Sequence, residues 1–419
     1  MDVLSNKLLS GFLKSLGIIF IFKIFTQAVN IAMSIVAARE LGPVRIGDFA
    51  IINSIAGFLA IPLVMGINIS MNKYLPAMDE KNQEEVISTT ILSNIPISLV
   101  FIAIYYIFSN MICSLLNIPK WLLLNSILLG ILTAYYIISE SFLRGQKKYI
   151  QVCITKLFFV ILFTVSLLVQ FYIMERKTLD SYLITNYIAF TLFIIASLAL
   201  TGVKRFAFKK KTVAFVYSYG FVNMLCAGLS VFLTSSDLYF VKCFCDPYQT
   251  GLYSVYIGNT RNLFGLFFYE IFSVVFLPTI AVMDKKAIYK KIAKYCLPIF
   301  SVLFLAGVLW SSFTILMYGK KYEFNLLYII LASVTLGIMS IYQLFSFTVA
   351  MGGAEETKFN LIAAAIPLPL IIFIQYILTK FMGISGAFIA NMLVNLILLF
   401  TLLLLVRRLW TRQKFSFNG

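Results

Sequence analysis

Four charged side chains lie inside long apolar segments of this sequence, where few charges are found: Lys23, Asp237, Arg261 and Glu270. Ionisable groups in such segments are candidates for function, because hydrocarbon surroundings do not solvate a charge. Lys23 and Arg261 could bind an anion such as a phosphate, and the two carboxylates could carry a proton or a sodium ion or form a gate. The alternative for each is a structural ion pair.

The depth of these groups along their helices predicts two pairings. Lys23 and Glu270 should lie at one level, and Asp237 and Arg261 at another. Arg261 and Glu270 are nine residues apart and therefore point to opposite faces of an ideal helix, so we do not expect them to pair. Nearer a helix end, Glu140 can pair with Arg144 at i+4, and Lys156 is expected to extend its ammonium towards water.

Two stripes of polar residues repeat the same helical spacing in the two halves of the chain. They comprise Lys23, Gln27, Asn30 and Ser34 in the first half, and Asn223, Ser230, Thr234 and Asp237 in the second, where Ala227 occupies the i+4 position. Each set falls on one narrow face of a helix and must face inward, since lipid leaves polar groups without partners. We interpret the stripes as walls of a substrate path; hydrogen bonding between packed helices is the alternative.

The composition sets the class of protein that must hold these residues. Of 419 residues, 61% are hydrophobic and only 12% are charged, which excludes soluble globular and disordered proteins. The sequence has no His, and its six Cys form no zinc or redox motif. We therefore expect no catalytic residues, metal site or cofactor. The net charge of +17 is attributed to basic loops at a membrane, with no nucleic-acid partner.

Hydropathy predicts an all-α polytopic membrane protein with twelve transmembrane helices. The predicted spans are 16–38, 49–71, 86–112, 121–143, 153–174, 181–203, 214–241, 252–282, 294–317, 324–350, 359–379 and 384–406. With both termini in the cytoplasm, most Lys and Arg residues fall on the cytoplasmic side, as expected for this class. Aromatic residues such as Tyr253 and Tyr256 are expected mainly in interfacial belts, with stacking on sugar rings as the alternative.

The basic stretch Lys204–Lys211 divides the spans into two sets of six that insert with the same orientation. Short similar segments in the two halves support an internal sequence repeat. Gly47-Asp-Phe49 lies at the start of the second predicted span, and Gly251-Leu-Tyr253 lies at the start of the eighth. The predicted parts are an N-terminal lobe (1–203), a basic cytoplasmic linker (204–212), a C-terminal lobe (213–406) and a basic cytoplasmic tail (407–419).

Several segments together resemble the multidrug/oligosaccharidyl-lipid/polysaccharide (MOP) exporter superfamily. Within it the chain is most similar to the polysaccharide-transporter branch of Wzx-type O-antigen flippases. The segments that carry the resemblance are Ala37–Gly42, Gly47–Ala50, Asn68–Pro76, Ser236–Val241, Gly251–Val255, Met317–Tyr322 and Gly383–Asn391. No site residue is carried over from the family.

The resemblance implies two six-helix lobes around a central cavity, working by alternating access. The implied substrate is an undecaprenyl-pyrophosphate-linked oligosaccharide, moved from the inner to the outer leaflet of a bacterial plasma (inner) membrane for O-antigen or related polysaccharide. The sequence has no P-loop for ATP, so we expect coupling to a proton or sodium gradient or to consumption of the product. Membrane lipid and a polysaccharide polymerase are the further expected partners.

Two other function classes are weighed against a flippase. A multidrug or cation antiporter of the same superfamily would be expected to line its cavity with net negative charge, whereas the predicted path carries two cations and about two anions. A polymerase, ligase or acyltransferase acting on lipid-linked glycans would typically have a large outer loop with catalytic residues, and the predicted outer loops are short. A channel fits poorly, because no short re-entrant filter segment is evident.

Overall fold

The computed structural model of this protein is built from α-helices. It describes residue 22 and residues 24–204, 207–265, 268, 285–350 and 354–415, and no strand occurs among them. The helices are α1 (24–41), α2 (Pro43–Val64), α3 (Ile67–Tyr74), α4 (Glu80–Ile107), α5 (Ser109–Leu116), α6 (Lys120–Gly145), α7 (Tyr149–Leu168), α8 (Leu179–Thr201), α9 (Lys210–Phe244), α10 (Pro247–Phe264), α11 (Lys285–Tyr318), α12 (Leu326–Ala350), α13 (Ala354–Ala365) and α14 (Leu368–Phe415). The predicted all-α polytopic class is confirmed.

The described residues divide into two compact units. The first contains the residues before Gly42 together with Phe49–Val231, and the second contains Gly42–Asp48 and the residues from Phe232 onward. The core of the first unit includes Leu63, Ile67 and Phe142, and that of the second includes Phe264 and Phe345. The predicted division into lobes at residues 204–212 stays a prediction.

Among the described residues, eight helices are long and apolar enough to cross a membrane. They cover the predicted second to sixth and ninth to twelfth spans. The predicted first and eighth spans contain positions that are not described, and the predicted seventh span lies within α9, where some side chains are not described. The chain thus supplies many helices of bilayer length, each of which satisfies its own backbone hydrogen bonds as hydrocarbon surroundings require.

Two helix boundaries differ from the prediction. The predicted second span breaks at Met65 and Gly66, where α2 gives way to α3. The predicted eleventh span breaks at Ile366 and Pro367, because proline lacks the N–H that continues a helix. The gap predicted between the eleventh and twelfth spans agrees with the structure, because two helical segments of α14 meet at a kink at Gly383. Gly383 has φ 59° and ψ −139°, a non-helical conformation that glycine adopts without strain.

Ionic contacts group residues at the two ends of the first unit. At one end, Lys209 pairs with Glu85, and the backbone N–H of Lys204 donates to Glu84 Oε1 at 2.6 Å. At the other end, Lys177 Nζ lies 2.9 Å from Glu40 Oε2, a contact that raises the pKa of Lys177 by stabilising the protonated amine. The predicted topology places the first group inside and the second outside. The compartment that each end faces stays a prediction.

Candidate functional site

Asp237 is the centre of a polar cluster inside the second unit. It lies on α9 and only 2% of it is exposed. Its Oδ2 atom accepts hydrogen bonds from Arg261 Nη2 at 2.6 Å, from the Tyr253 hydroxyl at 2.6 Å and from the Asn391 amide. Its Oδ1 atom accepts the backbone N–H of Leu238 at 2.9 Å. Four donors therefore satisfy one carboxylate whose desolvation would otherwise be costly.

A tight turn between α9 and α10 brings this cluster together. Asp246 caps α10 by accepting the N–H of Gln249 at 2.8 Å, and Pro247 follows at the first helical position, where its missing N–H costs nothing. The chain therefore reverses within a few residues, and α10 can present Tyr253 and Arg261 to Asp237. The predicted pairing of Asp237 with Arg261 is confirmed.

Arg261 is the member of the cluster that remains accessible. Its side chain is 33% exposed, whereas that of Asp237 is 2% exposed. A guanidinium has five N–H donors, and the contact to Asp237 uses one nitrogen, so donors remain for a second anion. The cluster is neutral as a unit, with one carboxylate and one guanidinium. It can bind an anionic oxygen at Arg261 without exposing Asp237.

Aromatic and amide side chains hold the cluster in place. Phe388 on α14 packs against the rings of Tyr253 and Tyr256, with centroids 5.0 and 6.0 Å apart. One helical turn of α14 away, the Asn391 amide also donates to the Tyr253 hydroxyl at 3.1 Å. The Tyr256 hydroxyl donates to the Glu323 carbonyl at 2.7 Å. These contacts fix the orientation of the groups around Asp237.

The sequence-based interpretation of the two tyrosines is wrong. Tyr253 and Tyr256 are both 0% exposed, so they form no interfacial belt, and neither ring is open for stacking on a sugar. Tyr253 and Asn391 are members of the cluster that the sequence did not identify. Asn391 lies in an apolar segment, which could have marked it as a candidate, but nothing in the spacing links α14 to α9.

Three residues of the first polar stripe are described, and all lie on α1 in the first unit. Gln27, Asn30 and Ser34 are half-buried. The Ser34 hydroxyl donates to the Ile31 carbonyl at 2.8 Å. That bond is one a serine forms within any helix and does not itself indicate a ligand. The assignment of these residues to a substrate path stays a prediction.

Five other predicted site residues cannot be placed. Lys23 and Glu270 lie outside the described residues, so their pairing stays a prediction. Asn223, Ser230 and Thr234 lie in α9, but their side chains are outside the described part of the structure. Of the second stripe, only Asp237 has described contacts.

A second buried carboxylate lies in the first unit. Glu140 on α6 is 7% exposed and pairs with Arg144, as predicted. Lys156 on α7 is also a partner, with Nζ 2.9 Å from Glu140 Oε1. The expectation that Lys156 turns away towards water is therefore wrong, because a carboxylate within reach stabilises its charge better than a helix face in lipid does. Within the described residues, no group of three His, Cys, Asp or Glu side chains could hold a metal ion.

Comparison with known proteins gives the following matches. A family model described as polysaccharide biosynthesis protein matches residues 12–284. Among solved structures, the lipid II flippase MurJ in an inward closed conformation has a TM-score of 0.70 at 17% identity, covering 93% of this chain and 87% of that chain. An inward-facing multidrug resistance MATE family transporter of the MOP superfamily has a TM-score of 0.69 at 14% identity, covering 93% of this chain and 94% of that chain.

A MOP superfamily transporter from Pyrococcus furiosus, described as having a binding pocket of reverse polarity, has a TM-score of 0.55 at 13% identity. Coverage is 96% of this chain and 94% of that chain. At these identities the likeness is one of fold. No curated protein sequence matches the chain.

Proposed function

Because the chain belongs to the polysaccharide biosynthesis protein family, we propose that it flips a lipid-linked glycan. The proposed substrate is an undecaprenyl-pyrophosphate-linked oligosaccharide repeat unit, moved from the inner to the outer leaflet of a bacterial plasma membrane by alternating access. The translocated repeat units are proposed to be used in the synthesis of O-antigen or a related surface polysaccharide. The chain transports this substrate and carries out no chemistry on it.

The partial exposure of the Arg261 side chain is the observation that supports an anionic substrate. Arg261 lies on a helix of the second unit, neutralised on one side by Asp237 and 33% exposed on the other. A pyrophosphate crossing a membrane loses much of its hydration, and a guanidinium can replace it with two parallel hydrogen bonds. Gln27, Asn30 and Ser34 are the proposed partners of sugar hydroxyls, and Lys23 is a proposed second phosphate contact.

The test is a flipping assay on the full chain in spheroplasts of a bacterial host that makes the lipid-linked oligosaccharide. An impermeant reagent labels the oligosaccharide that reaches the outer leaflet. Arg261→Ala is expected to lower the flipping rate about tenfold or more, the effect of losing a charged hydrogen bond. Arg261→Lys should retain an intermediate rate, because it keeps the charge and loses the planar fork. Lys120→Ala, which removes an exposed cation elsewhere, is the control.

Loss of Arg261 also leaves the buried Asp237 carboxylate without its charged partner. The assay therefore needs a variant that separates an effect on folding from an effect on substrate binding. The double variant Asp237→Asn/Arg261→Gln removes both charges and should melt closer to the native temperature than Arg261→Ala. It should still flip slowly if the guanidinium contacts the substrate. Full activity in both Lys23→Ala and Arg261→Ala would remove these residues from the path.

Transport is proposed to be coupled to a proton or sodium gradient, with the ion bound by Asp237, Glu270 or Glu140. A polysaccharide polymerase is the proposed partner that consumes the translocated product. The main alternative, a multidrug or cation antiporter, draws support from the fold shared with a multidrug transporter. Proteoliposomes holding the native chain decide between the two. Expulsion of a cationic dye without flipping of the lipid-linked oligosaccharide would overturn the flippase proposal.

A further inference from the structure

The second unit contains an apolar groove separate from the Asp237 cluster. Its volume is about 700 Å³, within the range of about 300–1,000 Å³ that is typical of small-molecule sites. It is lined by Tyr289, Ala293 and Cys296 of α11, Ile341 and Phe345 of α12, and Leu399, Phe400, Leu403, Leu404 and Arg407 of α14. Nine of these ten residues present hydrocarbon, sulfur or an aromatic ring, and the tenth is an arginine.

The groove is a channel along the helices. The α11 residues recur at i, i+4 and i+7, which places them on one face, and Leu399 to Arg407 cover two turns of α14. Eight residues at a rise of about 1.5 Å give a length of about 12 Å. This is close to the depth of one hydrocarbon leaflet, about 15 Å or half of the bilayer core. Ile341 and Phe345 form the floor and are 8% and 3% exposed.

Positive charge is concentrated at one end of this groove. Arg407 lies at that end, and Lys290 and Lys294 are exposed and each follow a groove-lining residue of α11 by one position. Lys294 lies one helical turn farther along α11, with its ammonium 5.6 Å from the centroid of the Tyr295 ring. The sequence segments 285–294 and 407–414, which contain these three residues, carry no Asp or Glu. Their basic residues are Lys285, Lys286, Lys290, Lys291, Lys294, Arg407, Arg408, Arg412 and Lys414. An apolar channel of leaflet depth thus ends in a strongly basic rim.

We propose that this groove binds an anionic phospholipid of the bilayer. One acyl chain lies between α11 and α14, and the phosphate is bound by Lys290, Lys294 and Arg407. Basic pockets at the membrane surface bind anionic headgroups in this way, whereas a zwitterionic lipid fills the channel without gaining the electrostatic attraction. The proposal is independent of the transported substrate.

Cys296 offers a direct readout, because it is a free thiol that lines the groove. The full chain is prepared with Cys296 as its single cysteine and titrated in detergent with dioleoyl phosphatidylglycerol or dioleoyl phosphatidylcholine. Native mass spectrometry counts the bound lipid, and the rate of alkylation by an apolar maleimide reports occupancy of the groove. Phosphatidylglycerol is expected to bind more tightly and to slow alkylation more than phosphatidylcholine at the same concentration.

Variants then locate the headgroup and the chain. Lys290→Gln, Lys294→Gln and Arg407→Gln should each lower the affinity for phosphatidylglycerol about fivefold, and leave that for phosphatidylcholine unchanged. Lys380→Gln, which removes an exposed cation from α14 away from the groove, should have no effect. Ala293→Phe, which fills the channel, should weaken binding of both lipids.

Equal affinity for the two lipids, or unchanged phosphatidylglycerol binding in the three Gln variants, would overturn the proposal. Protection of Cys296 by a polyprenyl pyrophosphate in preference to phosphatidylglycerol would also overturn it, since the groove would then hold the tail of a substrate. The flipping assay on Arg261 is unaffected by any of these outcomes, so the two proposals fail separately.

Discussion

At the scale of single residues, Asp237 and Glu140 show two ways of keeping a carboxylate inside an apolar helix. Asp237 is neutralised by one arginine and further satisfied by Tyr253 and Asn391, which carry no charge. Glu140 is paired with two cations, one on its own helix and one on α7. The first cluster is therefore neutral, while the second carries a net positive charge.

The two partners of Glu140 are expected to differ in importance. The Arg144 side chain is 43% exposed and that of Lys156 is 25% exposed, so solvent screens the Arg144 contact more. Arg144→Met should lower the stability by about 1 kcal/mol or less, and Lys156→Met by more. Melting of the purified variants in detergent gives the comparison. A larger loss for Arg144→Met would show that Lys156 adds little to the pair.

The partners of these carboxylates indicate what spacing in the sequence can predict. Arg144 is predictable from Glu140 because both lie on one helix four residues apart. Arg261 is predictable from Asp237 because a short turn joins two successive helices and places both groups at similar depth. Asn391 is not predictable in this way, because its contact depends on how α14 packs against α9, and that packing is set by side-chain shape along both helices.

At the scale of helices, apolar runs predict where the chain crosses the membrane but not where a helix is interrupted. The α2–α3 break at Met65 and Gly66 lies inside a continuous apolar run. Hydropathy averages over such a run, whereas the break depends on the backbone conformation of two residues. At Gly383 the predicted gap between two spans coincides with a kink, where non-helical backbone separates two helical segments of α14.

Gly251 on α10 lies close to the first residues of α2, which belong to the second unit. A methyl group there would lie 1.9 Å from the Pro43 carbonyl oxygen at the start of α2, so the backbones would have to separate. Gly47 is the residue that corresponds to Gly251 in the predicted internal repeat, and it approaches Gly251 closely. A methyl group on Gly47 would lie 2.9 Å from the Gly251 nitrogen. Gly251→Ala is expected to lower the melting temperature and the yield of folded protein.

Gly258 on the same helix is the matched control. A methyl group at this position meets no atom within 4 Å. Gly258→Ala should be neutral or stabilising by about 0.5–1 kcal/mol, because alanine favours the helix more than glycine does. Equal melting temperatures for Gly251→Ala and the native chain would contradict the close packing of the start of α2 against α10.

At the scale of the whole molecule, the sequence alone identified the class and the family. The predicted resemblance to polysaccharide-transporting proteins is confirmed at the level of the family, since the model of the polysaccharide biosynthesis protein family covers more than half of the chain. The fold is similar to that of solved transporters of the MOP superfamily. Composition was sufficient for the class because a chain with 61% hydrophobic residues must bury its backbone in helices within lipid. Composition and hydropathy do not identify the glycan, because sugar recognition depends on a few polar contacts.

The orientation of the molecule in the membrane is predicted from where its Lys and Arg residues lie, and it is directly measurable. The linker at residues 204–212 and both termini are predicted to face the cytoplasm. Lys209 is exposed on this linker, and Lys320 is exposed on a loop predicted to face outside. In a background without cysteine, Lys320→Cys should react in intact cells with an impermeant maleimide. Lys209→Cys should react only after the membrane is opened, because the bilayer separates it from the reagent. Reaction of Lys209→Cys in intact cells would reverse the topology and place the basic rim of the lipid groove on the outer surface.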